Sequence, residues 1–156
     1  MGLETKTNLE QSTIDKLQQL IRINIDSEQG FDDAAKQIED SNISALFTEL
    51  AGQRRQQATE LQDYVQWNGE KPRDEGSYAA AFHRTWIDIK SMLTGGDAHS
   101  ILAEAERGED QIKSAYEDAL QETAGSAMND VLSRQYKVVK AGHDRIRELR
   151  DHYAGK

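Results

Sequence analysis

The stretch NGEKPRDEGSYAAAFHRTWIDIKSMLTGGD, residues 68–97, decides how this chain of 156 residues folds. It opens on Asn68-Gly69, holds the only proline, Pro72, and closes on Gly95-Gly96 before Asp97. These residues stop one helix and cap another. A connection this long is unusual in a compact domain unless it carries structure of its own. Here Tyr78, Phe82, Trp86, Ile89 and Leu93 recur at three- and four-residue spacing, the apolar face of a helix expected over 77–93.

Long helical patterns flank this stretch and pair through short turns. Upstream, Ile14, Leu17, Ile21, Asn24, Glu28, Phe31, Ala35 and Ile38 mark a helix over about 12–39, with Ser12 and Asp15 resembling a capping box. Asp40-Ser41-Asn42 makes a tight turn, and Phe47, Leu50, Arg54, Gln57, Leu61 and Tyr64 mark a second helix over 43–68. Downstream, Asp97 can cap a third helix over 97–123, striped by Leu102, Ala105, Glu109, Ile112, Tyr116 and Ala119. Gly125-Ser126 turns the chain into a fourth helix over 126–153, striped by Met128, Val131, Gln135, Val139, Gly142, Ile146, Leu149 and Tyr153. Two short connections around one long one give two helix pairs joined by a crossover. That connectivity separates ferritin-like bundles from up-and-down ones. The expected fold is all-α: a single ferritin-like four-helix-bundle domain over 1–156, with an additional helix in the long crossover. A plain up-and-down bundle would differ only in the direction of the third helix.

The net charge of −9 and a pI near 4.9 repel phosphate backbones, and no basic face is interleaved with aromatics, so no nucleic-acid partner is expected. Lys137, Lys140, Arg145, Arg147 and Arg150 cluster late, behind an acidic segment, as two neighbouring helices pairing their charges would have them. There is no cysteine, so a metal would need carboxylate and imidazole ligands. No apolar run approaches the ~20 residues that span a bilayer, and Met1 to Glu10 lacks the regions of a signal peptide. No membrane partner and a cytoplasmic location follow as expectations. Thr94-Gly95-Gly96-Asp97 lacks the lysine and preceding strand of a phosphate loop, and no segment resembles a nucleophile elbow, which argues against an enzyme.

Polar residues interrupt the apolar stripes near one level. Residues equally far from a hairpin turn lie at equal height, and Glu28 and Arg54 are each thirteen residues from Ser41. Glu109 and His143 stand sixteen and eighteen residues from Gly125. An ionised carboxylate in a bundle core is costly unless paired or metal-bound. One reading is a buried polar layer of Glu28, Arg54, Gln57, Glu109, Gln135 and Lys140, with Glu28 paired to Arg54 and Glu109 to His143 or Lys140. Asn24 and Gln53 would complete its hydrogen bonding. The other is a metal centre on Glu28, Glu106, Glu109 and His143, holding iron or zinc. A di-metal bundle site wants a Glu on each of two helices and Glu-x-x-His on each of the others. The second helix offers Gln53-Arg54-Arg55-Gln56 and the fourth Lys140-Ala141-Gly142-His143, so no cofactor is expected. The apolar face of the crossover helix either seals the core or, with Met92, forms a homodimer or other protein contact.

The stretch AFHRTWIDIKSMLTGGDAHSILAEAERGEDQIKSAYEDAL, preceded by DSEQGFDDAA and followed by RQYKVVKAGHDRIRELRD, resembles a bacterial ferritin-like four-helix-bundle family of unknown function, the domain of unknown function 2383 type. HRTWIDIK, TGGD, ERGED and HDRIR carry the resemblance, which spans about Thr13 to Asp151. It implies a bacterial, cytoplasmic bundle without an assigned activity. Set against metal-handling ferritins, it would map their ligands onto Glu28, Gln53 and Gln56, Glu106 or Glu109, and Lys140 with His143, of which only the carboxylates and the histidine match. The function expected is that of a non-enzymatic bundle with a buried polar layer, in a stress-related role that no residue itself carries. The alternatives are a carboxylate/histidine metal-binding oxidase or storage protein, and a helical interaction module.

Overall fold

The computed structural model describes residues 4–75, 89 and 97–154. Four helices account for most of them: α1 Gln11–Gln37, α2 Ser41–Trp67, α3 Ala98–Glu122 and α4 Asn129–Ala154. The helix expected over 77–93 falls outside the described residues, Ile89 excepted, which is buried.

Local chemistry sets the helix ends. The Asp40 carboxylate accepts the Asn42 and Ile43 N–H groups at 2.9 and 3.0 Å, and Asp97 accepts the Ser100 N–H at 2.8 Å. Each occupies orphan donors of a first turn. The expected capping box at Ser12 does not form. α1 starts one residue earlier, at Gln11, and its N-cap Glu10 makes no side-chain cap. Asp15 instead accepts the Gln11 side-chain amide at 2.9 Å, while Glu10 is held by its own N–H, which donates to Glu4 at 2.8 Å.

Contacts between helices fix the direction of each. α1 and α2 form one antiparallel hairpin and α3 and α4 another. Between hairpins, Lys16 meets Glu122 and Asn24 meets Tyr116, so α1 and α3 are antiparallel. Glu49 meets Arg145, Gln57 meets Gln135 and Glu60 meets Arg134, so α2 and α4 are antiparallel too. α2 and α3 therefore run parallel. At one end Asn68, just past α2, accepts the Leu9 N–H and donates to the Lys6 carbonyl, both at 2.8 Å. At the other, Tyr153 of α4 donates to Asp40, in the α1/α2 turn. α3 starts at that second end, with Glu106 paired to Arg150. The chain from Asn68 to Asp97 thus crosses the full length of the bundle, about 40 Å for a helix of this size. Lys71 and Arg73, bonded to Gln18, have already started the climb. This is the ferritin-like connectivity, and the up-and-down alternative is excluded by the direction of α3.

Leu17, Ile21, Phe31, Phe47, Leu50, Leu61, Ile112, Leu132, Val139 and Ile146 form the fully buried core. Burying side chains of this size stabilises by about 1.5–3 kcal/mol each, which offsets the entropy of ordering the chain. Phe31 and Phe47 pack with ring centroids 5.1 Å apart near the α1/α2 turn. Together with the Ser44 hydroxyl, which donates to the Ala35 carbonyl at 2.8 Å, they pin that hairpin.

Candidate functional site

A hydrogen-bonded polar chain crosses the middle of this core and touches all four helices. From α1, the Asn24 amide donates to the Tyr116 hydroxyl at 2.9 Å and to the Leu20 carbonyl at 2.8 Å. Tyr116, on α3, donates to Gln135 Oε1 at 2.6 Å. Gln135, on α4, passes its side-chain amide to Glu60 Oε1 at 2.7 Å, and its main-chain carbonyl accepts the Gln57 amide at 3.0 Å. Gln57 Oε1 accepts Arg54 Nη1 at 3.2 Å, and Arg54 Nη2 ends the chain on Glu109 Oε2 at 2.6 Å. Asn24, Arg54, Tyr116, Glu109 and Gln135 are at most 1 % exposed. The chain comes to the surface at Glu60, which Arg134 meets 2.5 Å away.

The Arg54–Glu109 pair has side-chain exposures of 0 % and 1 %. Burial pushes the Glu109 carboxyl above the usual carboxylate range, while the attraction and hydrogen bond of Arg54 pull it back. Burial also raises the Tyr116 phenol, which stays protonated and so remains a donor to Gln135. Gly142 makes space for the pair. A Cβ on it would stand 2.9 Å from Leu50 Cδ2, 3.1 Å from Arg54 Nη2 and 3.9 Å from Glu109 Oε2. A glycine inside a helix costs about 1 kcal/mol relative to alanine, and here it admits a guanidinium.

Two pairings expected from the sequence are corrected. Glu28 does not meet Arg54; it accepts from Arg55 Nε at 2.8 Å, with Arg55 62 % and Glu28 23 % exposed. The height was right and the direction wrong: successive helix residues point about 100° apart. Arg55 therefore faces the outer seam where Glu28 lies, and Arg54 faces α3. Glu109 pairs with neither His143 nor Lys140, because Gly142 is the α4 position that turns to the centre. Lys140 is exposed and belongs to no buried layer. His143 sits beside the seam, with Nε2 2.6 Å from Asp110 and 3.5 Å from Glu106, and Nδ1 3.3 Å from Asp144. Glu28, Glu106, Glu109 and His143 are thus not brought to one point. Glu106 is bonded to Arg150, and Glu109 faces the far side of the seam.

Tyr116 is the member that the sequence reading placed only among apolar residues. The same counting reaches it, since Tyr116 is nine residues before Gly125 and Gln135 ten after.

A ferritin-like bundle implies a metal centre at this level. Among the described residues no group of three or more His, Asp or Glu could hold a metal ion. The central carboxylate is engaged by a fixed cation, the carboxylate at the outer end of the chain, Glu60, is engaged by Arg134, and the polar groups between them are neutral amides and a phenol. An open hollow of about 460 Å³ lies between α2 and α4, lined in part by Leu46, Glu49, Arg145 and His152, and does not include the layer.

The family model described as Domain of unknown function (DUF2383) matches residues 12–122, which covers α1, α2 and α3 with the crossover between them. The chain belongs to this family. Glu109, Arg54, Asn24 and Tyr116 lie inside the matched span; Gln135 and Gly142, the α4 contributions, lie beyond it. No curated protein matches the chain. Among the described residues no helix is long and apolar enough to cross a membrane.

Proposed function

We propose that this family member is a non-enzymatic ferritin-like bundle in which an ion pair takes the place of a metal centre. The buried Arg54–Glu109 contact at 2.6 Å carries this reading. A divalent ion about 4 Å from the guanidinium would be repelled by roughly 8 kcal/mol at an effective dielectric constant of 20, and a second ion would double the opposition. A resident metal would also have to displace Arg54 from Glu109 and leave the guanidinium buried and unpaired, which is itself costly. On this reading the layer serves register: its chain of donors and acceptors closes only when four helices stand at one relative height. The function outside the bundle is then carried by its surface, in the cytoplasm, as an interaction protein or a stress-related one. Trp67, 58 % exposed at the end of α2, is the apolar side chain available for such contact among the described residues.

Metal analysis of protein purified without chelators tests the proposal. Well under one iron or zinc per chain, and no catalysed oxidation of ferrous iron, is the expected result. Stoichiometric metal lost in His143→Ala would favour the second reading, a carboxylate/histidine metal protein. The observation behind that reading is the approach of Asp110 and Glu106 to His143.

A further inference from the structure

Asn68-Gly69, where α2 ends, is the only Asn-Gly pair in the chain. Such a pair carries a reaction of its own. The glycine amide nitrogen attacks the asparagine side-chain carbonyl carbon, ammonia leaves, and the succinimide so formed takes up water. Aspartate results if the main chain is restored, isoaspartate if it is rerouted through the side chain. Asparagine and water are the only reactants and ammonia the only other product. Glycine favours the ring closure because no Cβ obstructs it.

The fold holds both reacting groups apart. Asn68 Oδ1 accepts the Leu9 N–H at 2.8 Å, and Nδ2 donates to the Lys6 carbonyl at 2.8 Å and the Tyr64 carbonyl at 2.7 Å. Gly69, with φ at +82°, closes α2 in a Schellman motif: its N–H donates to the Gln66 carbonyl at 3.0 Å, and the Glu70 N–H to the Val65 carbonyl at 3.3 Å. The Asn68 ψ of 10° sets the Gly69 nitrogen on the side of Asn68's own nitrogen, so it must swing to the Cβ side before it can reach Cγ. Two of the three side-chain bonds come from residues 4–10, and that segment has few ties. Glu4 accepts from Ser126 Oγ at 2.6 Å and the Ala127 N–H at 3.0 Å, while Lys6 meets Asp130 at 3.2 Å with exposures of 39 % and 72 %. Terminal segments held in this way open locally, at lower cost than the core.

We propose that Asn68 is a self-modifying deamidation site gated by the N-terminal segment. While residues 4–10 are docked, the Asn68 amide is held away from Gly69. When they undock and the last turn of α2 frays, the ring can close. The product then keeps the segment off. Aspartate has no N–H to give to the Lys6 and Tyr64 carbonyls and sets a carboxylate against them. Isoaspartate adds a methylene to the main chain between residues 68 and 69, which breaks the spacing of the Schellman motif. A reversible opening is thereby converted into a permanent one, with a new negative charge beside the exposed Trp67. The proposal stands on the contacts of Asn68 and holds whether or not the bundle binds metal.

The full chain incubated in mildly alkaline buffer tests it, with ammonia release and tandem mass spectrometry of the peptide containing residue 68 as readouts. The same chain unfolded in urea at the same pH gives the ungated rate. Native protein should convert at Asn68 about 10- to 1000-fold more slowly, the range that a local opening sets. Glu4→Gln, which loosens the segment, should convert several-fold faster than the wild type. Equal native and unfolded rates, native conversion slower than that range, or a Glu4→Gln rate no higher than the wild type's would each overturn the gating. Asn68→Asp reads the consequence directly: hydrogen exchange at the Leu9 N–H should quicken by about tenfold, the factor that one lost hydrogen bond makes. Unchanged exchange there would refute the switch. The wild-type kinetics stand as a test whether or not the variants fold.

Discussion

Gly142 of α4 lies against the guanidinium of Arg54, so close that a single added carbon would stand 3.1 Å from Nη2 and 2.9 Å from Leu50 Cδ2. Gly142→Ala should therefore destabilise by about 1–3 kcal/mol, against the gain of about 1 kcal/mol that a helical Gly→Ala change otherwise brings. Gly52→Ala is the control. Nothing lies within 4 Å of its added carbon, so it should stabilise. Denaturant melts of both variants decide the matter, and equal effects would remove the steric role assigned to Gly142.

The Arg54–Glu109 pair should show strong coupling. Removing one partner leaves a buried charge or an unmatched polar group, so Arg54→Met or Glu109→Leu alone should cost about 3–5 kcal/mol. The double variant replaces both by apolar groups and should recover most of that loss. A double-mutant cycle with additive losses would mean that the two side chains do not depend on each other.

What the sequence made legible was height, and what it hid was direction. Turn residues located the hairpins; counting from Ser41 put Glu28 level with Arg54, one residue from its partner Arg55, and counting from Gly125 put Glu109 near His143, one residue from Gly142. Azimuth needs the rotation of each helix about its axis, which an apolar stripe defines only loosely when polar residues sit within it. Arg54 and Arg55 are adjacent in sequence and equally basic, yet one is fully buried and the other 62 % exposed. Tyr116 escaped attention because its ring suits an apolar stripe and only its hydroxyl joins the layer. The caps Asp40 and Asp97 were readable because they act within three residues. Ser12 failed as a cap because Leu9, tethered to Asn68 fifty-nine residues away, brings the chain into α1 at Gln11.

Acid should loosen the N-terminal segment before the bundle melts. Burial alone would raise the Glu4 carboxyl, but hydrogen bonds from the Ser126 hydroxyl, the Glu10 N–H and the Ala127 N–H hold it below the usual range. A depressed carboxylate contributes stability that is present above its unfolded value and is lost as pH falls through its folded value. Glu4→Gln should thus lower Tm at pH 7 and approach the wild type as pH falls through the depressed folded-state value of Glu4, below which both side chains are neutral. Hydrogen exchange at Glu10 and Ala127 should quicken over the same interval. A Tm difference that stays constant with pH would show that the Glu4 charge is not what ties this segment to the α3/α4 turn.

Tyr116 and Tyr136 offer a comparison in which chemistry is constant and burial differs. Both hydroxyls donate at 2.6 Å, Tyr116 to Gln135 within the core and Tyr136 to Glu117 at the surface. Tyr116→Phe deletes the link between α1 and α4. The Asn24 amide keeps its bond to Leu20, but Gln135 Oε1 loses its donor where no solvent replaces it. The loss should be about 1–3 kcal/mol, the cost of an orphaned buried acceptor. Tyr136→Phe leaves Glu117 to water and should cost under about 0.5 kcal/mol. Because the Gln135 main-chain carbonyl also holds the Gln57 amide, and Gln57 accepts from Arg54, a Tyr116 variant that lets this turn of α4 shift should in addition weaken the coupling measured between Arg54 and Glu109. Unaltered coupling in that background would divide the layer into two independent halves, one around Tyr116 and one around the ion pair.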